Sequence, residues 1–282
     1  MRIVAILLAF ILSSGSAQAR ELKLATWNLA WLTLRPAGDP ALPPGLVPYD
    51  AADLDRLAGY ARSLRADVVA IQGVDGVSAA AAVFPPEDWT VVLTADDGTL
   101  RSGFAVRRGL VFTQNGDFDA LDPDQGRLRP GADITLGTGA NRLRVLSVQL
   151  KSGCRTLPLE APNADPACSV LYRQGRAIGG WIDAREGEPF AVLGDFARVL
   201  DGAGETSGLL GTATPLLRAT EGHGNPCWGG GAFSDHLLLG GRAADWLLQN
   251  TLRAMVFRET NNAARAHLPA HCPISIRLLI PD

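Results

Sequence analysis

The chain has 282 residues, 47% hydrophobic and 20% charged, with 31 Gly, 18 Pro and 4 Cys. That composition supplies an apolar core for one globular domain and excludes a disordered, highly charged chain; no internal repeat or low-complexity linker divides it. The formal net charge of −3 argues against a protein that coats nucleic acid through a basic groove, though not against an enzyme with a local positive patch.

Arg2, the apolar run Ile3 to Leu12 and the small-x-small sequence Ala17-Gln18-Ala19 read as a signal peptide over residues 1–19. The run is shorter than the roughly 20 residues that a membrane-spanning helix needs. A buried N-terminal helix is the alternative, and no other segment reads as membrane-spanning. The expected product is a single domain over residues 20–282, secreted or periplasmic and monomeric, and one unit more negative because Arg2 leaves with the leader.

Strands are expected at Leu22 to Trp27, Asp67 to Ile71, Thr90 to Leu93, Phe104 to Val106, Leu143 to Leu150, Phe190 to Leu193, His236 to Leu239 and Ile274 to Leu278. Helices are expected at Ala51 to Leu64 and Ser169 to Ala184, from their apolar spacing. Several strands run directly into a polar residue: Asn28, Gln72, Gln149, Asp195 and Ser234. Such a residue is usually a cap or turn former, but strand termini on a rigid sheet are also where sites are built.

Cys154, Cys168, Cys227 and Cys272 form an even set in a chain read as exported, which favours disulfides. Pairing Cys154 with Cys168 closes a short Pro- and Asn-containing loop, and Cys227 with Cys272 ties the last strand to an earlier loop. A four-ligand zinc site is the alternative, without a C-x-x-C or C-x-x-H knuckle to support it.

Six short motifs follow in order: Ala25-Thr26-Trp27-Asn28, Ala70-Ile71-Gln72, Ser147-Val148-Gln149-Leu150-Lys151-Ser152, Leu193-Gly194-Asp195-Phe196, Ser234-Asp235-His236 and His271-Cys272-Pro273-Ile274-Ser275. In sequence and spacing they resemble the endonuclease/exonuclease/phosphatase superfamily, from about Leu22 to Leu279. The resemblance implies an α/β fold: a four-layered α/β sandwich of the DNase I type, two mixed sheets face to face with helices outside. It also implies a Mg²⁺- or Mn²⁺-dependent phosphodiester site at one edge. Phosphodiester hydrolysis needs a cation to neutralise the anion, a group to orient or deprotonate water, and an acid or cation for the leaving oxygen.

In that family a Glu after the Gln of the second strand holds the metal, and a His at the end of a later strand contacts the phosphate or acts as an acid. A Gly-Asp-x-Asn motif handles the nucleophile, a further Asp orients the His of a terminal Asp-His pair, and the Asp of that pair lies beside the metal. By this resemblance Asn28, Asp195, Asp235 and His271 are retained candidate catalytic residues. Gly73, Gln149, Ala197 and Ala270 stand where Glu, His, Asn and Asp are expected. No intact metal-ligand set remains, because Gly73 and Ala270 replace expected ligands. Asp75 is the nearest substitute for the missing Glu, but a two-residue slip along a strand moves a side chain by roughly 6 to 7 Å.

The expected function is therefore that of a metal-dependent phosphodiester hydrolase by resemblance, inactive or severely impaired as written, with Mg²⁺ or Mn²⁺ binding weak or lost. The alternatives are a weak Mg²⁺/Mn²⁺-dependent phosphodiesterase and a non-catalytic module binding phosphate, nucleic acid or protein. DNA, RNA, phospholipid and small phosphate esters all remain open as ligands. Asp235 and His271 are expected to form an orienting pair, with His236 turned to the other face. His223 and His267 read as exposed loop residues, and most of the six Trp as core or loop anchors. Arg101, Arg107 and Arg108 read either as phosphate contacts or as a solvated edge.

Overall fold

The computed structural model describes residues 19–123, 126, 128–159, 165–202, 204–259 and 262–281. The proposed signal peptide lies outside them, Ala19 excepted. Strand β1 (Arg20–Leu32) shows how the sandwich is specified: Leu22 and Leu24 face one way while Ala25, Trp27 and Leu29 face the other. Both faces are buried, so the strand is apolar almost throughout rather than alternating with polar residues.

Helix α1 (Ala51–Leu64) has the expected bounds. Asp50 caps its N-terminus by accepting from the Asp53 backbone N–H, Asp53 returns a bond to the Asp50 backbone, and Arg65 ends the helix in the left-handed region. β2 (Val68–Val74) runs three residues past Ile71 and so carries Gln72 and Gly73 inside the strand. After it come α2 (Val77–Val83), β3 (Trp89–Leu93), β4 (Arg101–Arg107), β5 (Phe112–Gln114), β6 (Ala132–Leu136) and β7 (Leu143–Gln149).

The second half contributes α3 (Pro166–Asp183), β8 (Phe190–Asp195), α4 (Glu205–Leu210), β9 (Leu216–Arg218), β10 (Asp235–Gly240), β11 (Arg253–Ala254), α5 (Asn262–Arg265) and β12 (Ile274–Ile280). α3 starts three residues earlier than expected because Asp165 caps it and Pro166 suits its first turn, where the missing N–H costs nothing.

Two mixed six-stranded sheets result, ordered β11-β12-β1-β2-β4-β3 and β5-β6-β7-β8-β10-β9. Leu22, Leu24, Val68, Ala70, Phe104 and Val106 of the first meet Ile134, Val145, Leu193, Leu237 and Leu239 of the second. The outer face of the first sheet packs on α1 and α2, that of the second on α3 and α4. This is the four-layered α/β sandwich expected from the motifs. Among the described residues no helix is long and apolar enough to cross a membrane.

Both expected disulfides, Cys154–Cys168 and Cys227–Cys272, are present, which removes the zinc alternative. The helix packing is tight enough to test: a Cβ on Gly179 of α3 would lie 1.9 Å from the Leu210 carbonyl oxygen of α4. Gly179→Ala is therefore expected to destabilise by about 1–3 kcal/mol. A lower urea midpoint at unchanged slope would show it.

Candidate functional site

The site follows from strand direction. β1 runs parallel to β2, and β7 parallel to β8. β12 is antiparallel to β1, and β10 to β8. The C-terminal ends of β1, β2, β7 and β8 therefore share one edge of the sandwich with the N-terminal ends of β10 and β12. Alternation then selects the side chains. Asn28 continues the inward row of Leu24 and Thr26, Gln72 that of Val68 and Ala70, and Asp195 that of Ala191 and Leu193. His271 lies three residues before Ile274, which pairs with Thr26, so the chain delivers it beside Asn28.

Four of the predicted residues meet there. Asn28 Nδ2 donates to Asp195 Oδ2 across the two sheets at 2.9 Å, while its Oδ1 accepts from the Ala30 backbone N–H at 2.8 Å. His271 Nδ1 lies 2.7 Å from Asp235 Oδ2, and its Nε2 lies 3.8 Å from Asp195 Oδ2. Asp195 Oδ1 accepts from the Ala197 backbone N–H. Burial and the neighbouring Asp235 push the Asp195 carboxyl up to about 6. Burial alone would lower the His271 imidazole, but the charge and hydrogen bond of Asp235, together with Asp195, outweigh it and raise it to about 9. At neutral pH the site thus holds a His271 imidazolium hydrogen-bonded to Asp235 and beside Asp195.

Beneath this group Gln72 is fully buried, donating to Ser147 Oγ at 3.0 Å and to Thr26 Oγ1 at 3.2 Å. Solved structures with a similar fold accompany this geometry. Humanized D. rerio TDP2 carrying 14 mutations matches at a TM-score of 0.63 and 14% identity, over 91% of this chain and 98% of that one. D. rerio TDP2 complexed with single strand DNA product matches at 0.62 and 14%, over 91% and 98%. An endonuclease/exonuclease/phosphatase family protein from Bacteroides thetaiotaomicron matches at 0.56 and 12%, over 93% and 99%. The chain has the endonuclease/exonuclease/phosphatase fold. No family model matches the sequence, and no curated protein matches it.

Within this DNase I-like fold the four departures have distinct structural forms. Gly73 adopts φ +72°, and a Cβ there would lie 2.0 Å from the Ala30 carbonyl oxygen and 2.9 Å from Asn28 Oδ1. The β1–β2 register shifts between Asn28 and Leu32, and Ala30 itself has φ +58°. The backbone of β1 thus fills the space from which a side chain at position 73 would start. Ala197 is also left-handed, at φ +51°, a conformation in which Asn is enriched among non-glycine residues. Gln149 pairs in register with Asp195, and its buried Oε1 has no hydrogen bond among the described residues. Ala270 is exposed, immediately before His271.

Asp195, Asp235 and His271 each offer a ligand atom within 4.8 Å of the others, so acidic groups able to hold a metal are present. They do not fit the ligand set that the motifs imply. Both oxygens of Asp195 and one of Asp235 already accept hydrogen bonds, and only Asp235 Oδ1 lacks a partner among the described residues. Mg²⁺ requires a near-octahedral oxygen shell, and the place of a carboxylate at position 73 is closed. Asp75 does not compensate: its Oδ2 accepts from Thr33 Oγ1 at 2.6 Å and Arg35 Nε at 2.8 Å, outside this group.

Sequence reasoning missed Arg129, which precedes β6. Burial lowers its pKa, while the charges of Asp195 and Asp96 act in the opposite direction. Its only trace in the sequence is the run Arg127-Leu128-Arg129-Pro130, ahead of a strand that carries no clear pattern of its own. Also missed was Trp27 Nε1, which donates to the His271 carbonyl at 3.1 Å. Arg101, Arg107 and Arg108 are engaged elsewhere: with the Thr94 carbonyl, with the Trp89 ring and Asp88, and with the Pro86 carbonyl.

His236 points away from the site, as expected. Its Nδ1 meets Thr220 Oγ1 at 2.7 Å and its Nε2 the Arg198 carbonyl at 3.0 Å, and burial lowers its pKa to about 4. His223 and His267 are exposed, the latter bonded to Asp53. With Asp50, His267 and Asp53 form a second acidic group at the start of α1, where Asp53 is occupied by the Asp50 N–H, Arg56 and His267. Trp27, Trp89, Trp181 and Trp246 are buried anchors.

Proposed function

We propose that the chain binds a phosphodiester ligand, of nucleic-acid type, at the edge shared by Asn28, Asp195, Asp235 and His271, and does not hydrolyse it by metal-dependent catalysis at an appreciable rate. One observation carries the non-hydrolytic part of this reading: the Ala30 carbonyl stands 2.0 Å from where a Cβ of residue 73 would lie. The loss of the metal-holding carboxylate is thereby matched by the backbone around it. Mg²⁺ or Mn²⁺ binding is weak or lost in this account. In this reading the positive charge offered to a phosphate comes from the His271 imidazolium, with Arg129, which is electrostatically coupled to Asp195, assigned as a second contributor.

A nucleic-acid ligand is supported by the similar fold of D. rerio TDP2 complexed with single strand DNA product. Export to a secreted or periplasmic location, after cleavage near Ala19 of a single-domain chain, is compatible with the two disulfides. The proximity of Asp195, Asp235 and His271 favours one second reading, a weak phosphodiesterase whose cation sits on these three residues.

Binding of a labelled single-stranded oligodeoxynucleotide, followed by fluorescence anisotropy in EDTA, tests the proposal. Measurable binding that weakens with salt is expected. Arg129→Ala and His271→Gln should each weaken it by roughly 10- to 100-fold, the size of a lost charge-assisted contact. Binding that is absent, or unchanged in both variants, would overturn the assignment. Binding that requires Mn²⁺ would favour the second reading.

A further inference from the structure

The segment that carries His271 lies outside the sheets, between α5 and β12, so its placement needs its own explanation. Among the described residues its attachments include Trp27 Nε1 to the His271 carbonyl at 3.1 Å, Trp228 Nε1 to the Pro269 carbonyl at 3.1 Å, His267 Nδ1 beside Asp53 Oδ2 at 2.9 Å, the Met255 backbone N–H to the Pro273 carbonyl at 2.9 Å, and the Cys227–Cys272 bridge. Only the bridge is covalent, and it adjoins His271 directly. Its other end, Cys227, lies in the loop that leads into β10, whose first residue is Asp235. The disulfide therefore ties the loop that carries His271 to the loop leading into β10, whose first residue, Asp235, makes the 2.7 Å contact with His271. Cys227 and Cys272 are both buried in the cluster formed by Trp27, Phe257 and Leu268, so they also fix the loops to the first sheet.

We propose that the Cys227–Cys272 disulfide is the positioning element of His271: the site is assembled in the oxidised chain and dismantled in the reduced one. Assembly is an oxidation in which two cysteine S–H bonds break and one S–S bond forms. The two electrons and two protons pass to the disulfide of a thiol–disulfide exchange partner, which becomes a dithiol. In the reduced chain the sheets keep Asn28, Asp195 and Asp235 in register, because those residues are set by strand pairing. Of the four, His271 alone loses a covalent tether, keeping the Trp27 bond to its carbonyl and the chain connection to β12. The positional claim needs no ligand; its consequence for phosphodiester binding rests on the function proposed above.

The full oxidised chain is equilibrated in glutathione buffers of increasing reducing power. The His271 ring resonances and the near-UV circular dichroism of the sandwich are followed separately. The His271 resonances are expected to leave their Asp235-bonded position at a less reducing poise than the one at which the sandwich signal falls, and Cys227→Ser/Cys272→Ser should reproduce that shift without reductant. Oligodeoxynucleotide affinity should fall with the His271 signal by about 10-fold or more, and adding His271→Gln to the cysteine variant should cost nothing further.

Unchanged His271 resonances in a reduced but folded chain would overturn the proposal, as would loss of both signals at one poise. The glutathione series separates these outcomes even where the cysteine variant fails to fold. An oxidised chain that binds no oligonucleotide but shows the His271 shift on reduction would refute the binding function and leave the positioning role standing.

Discussion

Gly73→Glu is expected to destabilise the chain by roughly 2–5 kcal/mol and to leave its affinity for Mn²⁺ unchanged. A non-glycine residue in the left-handed region costs about 1–2 kcal/mol, and the remainder reflects the clash with the Ala30 carbonyl, 2.0 Å from the new Cβ. Urea unfolding measures the first effect and water-proton relaxation during a Mn²⁺ titration the second. A variant as stable as the parent that gained a manganese site would show that β1 yields to the side chain. Ala197→Asn provides the contrast. Its backbone is already left-handed at φ +51°, so the change should stay within about 0.5 kcal/mol of the parent. Of these two departures, only the one at Gly73 is built into the backbone.

The stability of the chain is expected to fall as pH rises from 6.5 to 9, by roughly 3 kcal/mol, and His271→Gln should remove that slope. His271 titrates near 9 in the folded chain, against 6.5 in its ordinary state. Its stabilising contribution is therefore complete below 6.5 and lost as pH passes through about 9. Asp195 works in the same direction at lower pH. Because its folded pKa is raised to about 6, ionisation costs more in the native state, and stability declines between about 4 and 6. His236, held neutral with a pKa near 4, opposes this: stability falls as pH drops from 6.5 toward 4. These two contributions offset each other, which leaves the His271 window as the resolved feature. Denaturant midpoints from pH 5 to 10 for the parent and His271→Gln provide the check. Equal slopes above pH 6.5 would show that His271 is not held as a cation.

The central strands were legible because they are buried on both faces, whereas the two-sheet sandwich itself was implied only by the resemblance that the motifs carry. Leu143 to Leu150 and Phe190 to Leu193 stand out as apolar runs whatever their neighbours. The edge strands β5, β9 and β11 are two or three residues long and carry no periodic signal. They exist only because longer strands lie beside them. Asn28, Asp195, Asp235 and His271 are marked by motif order, and strand pairing explains why those motifs converge.

The conformation at Gly73 was not legible. The sequence shows an absent carboxylate, whereas the bulge that closes its place depends on Ala30, more than forty residues earlier. Arg129 escaped for a related reason. Its electrostatic coupling to Asp195 acts between residues far apart in the chain, and no local pattern encodes that.

The central claim is that this edge binds a phosphodiester without metal-assisted cleavage. Incubating the purified oxidised chain with single-stranded and duplex DNA in Mg²⁺ or Mn²⁺, with parallel samples in EDTA, tests it most directly. The account predicts no cleavage above buffer in either condition, under concentrations at which the oligonucleotide is bound. Robust cleavage in Mg²⁺ or Mn²⁺ that disappears on adding EDTA would contradict it.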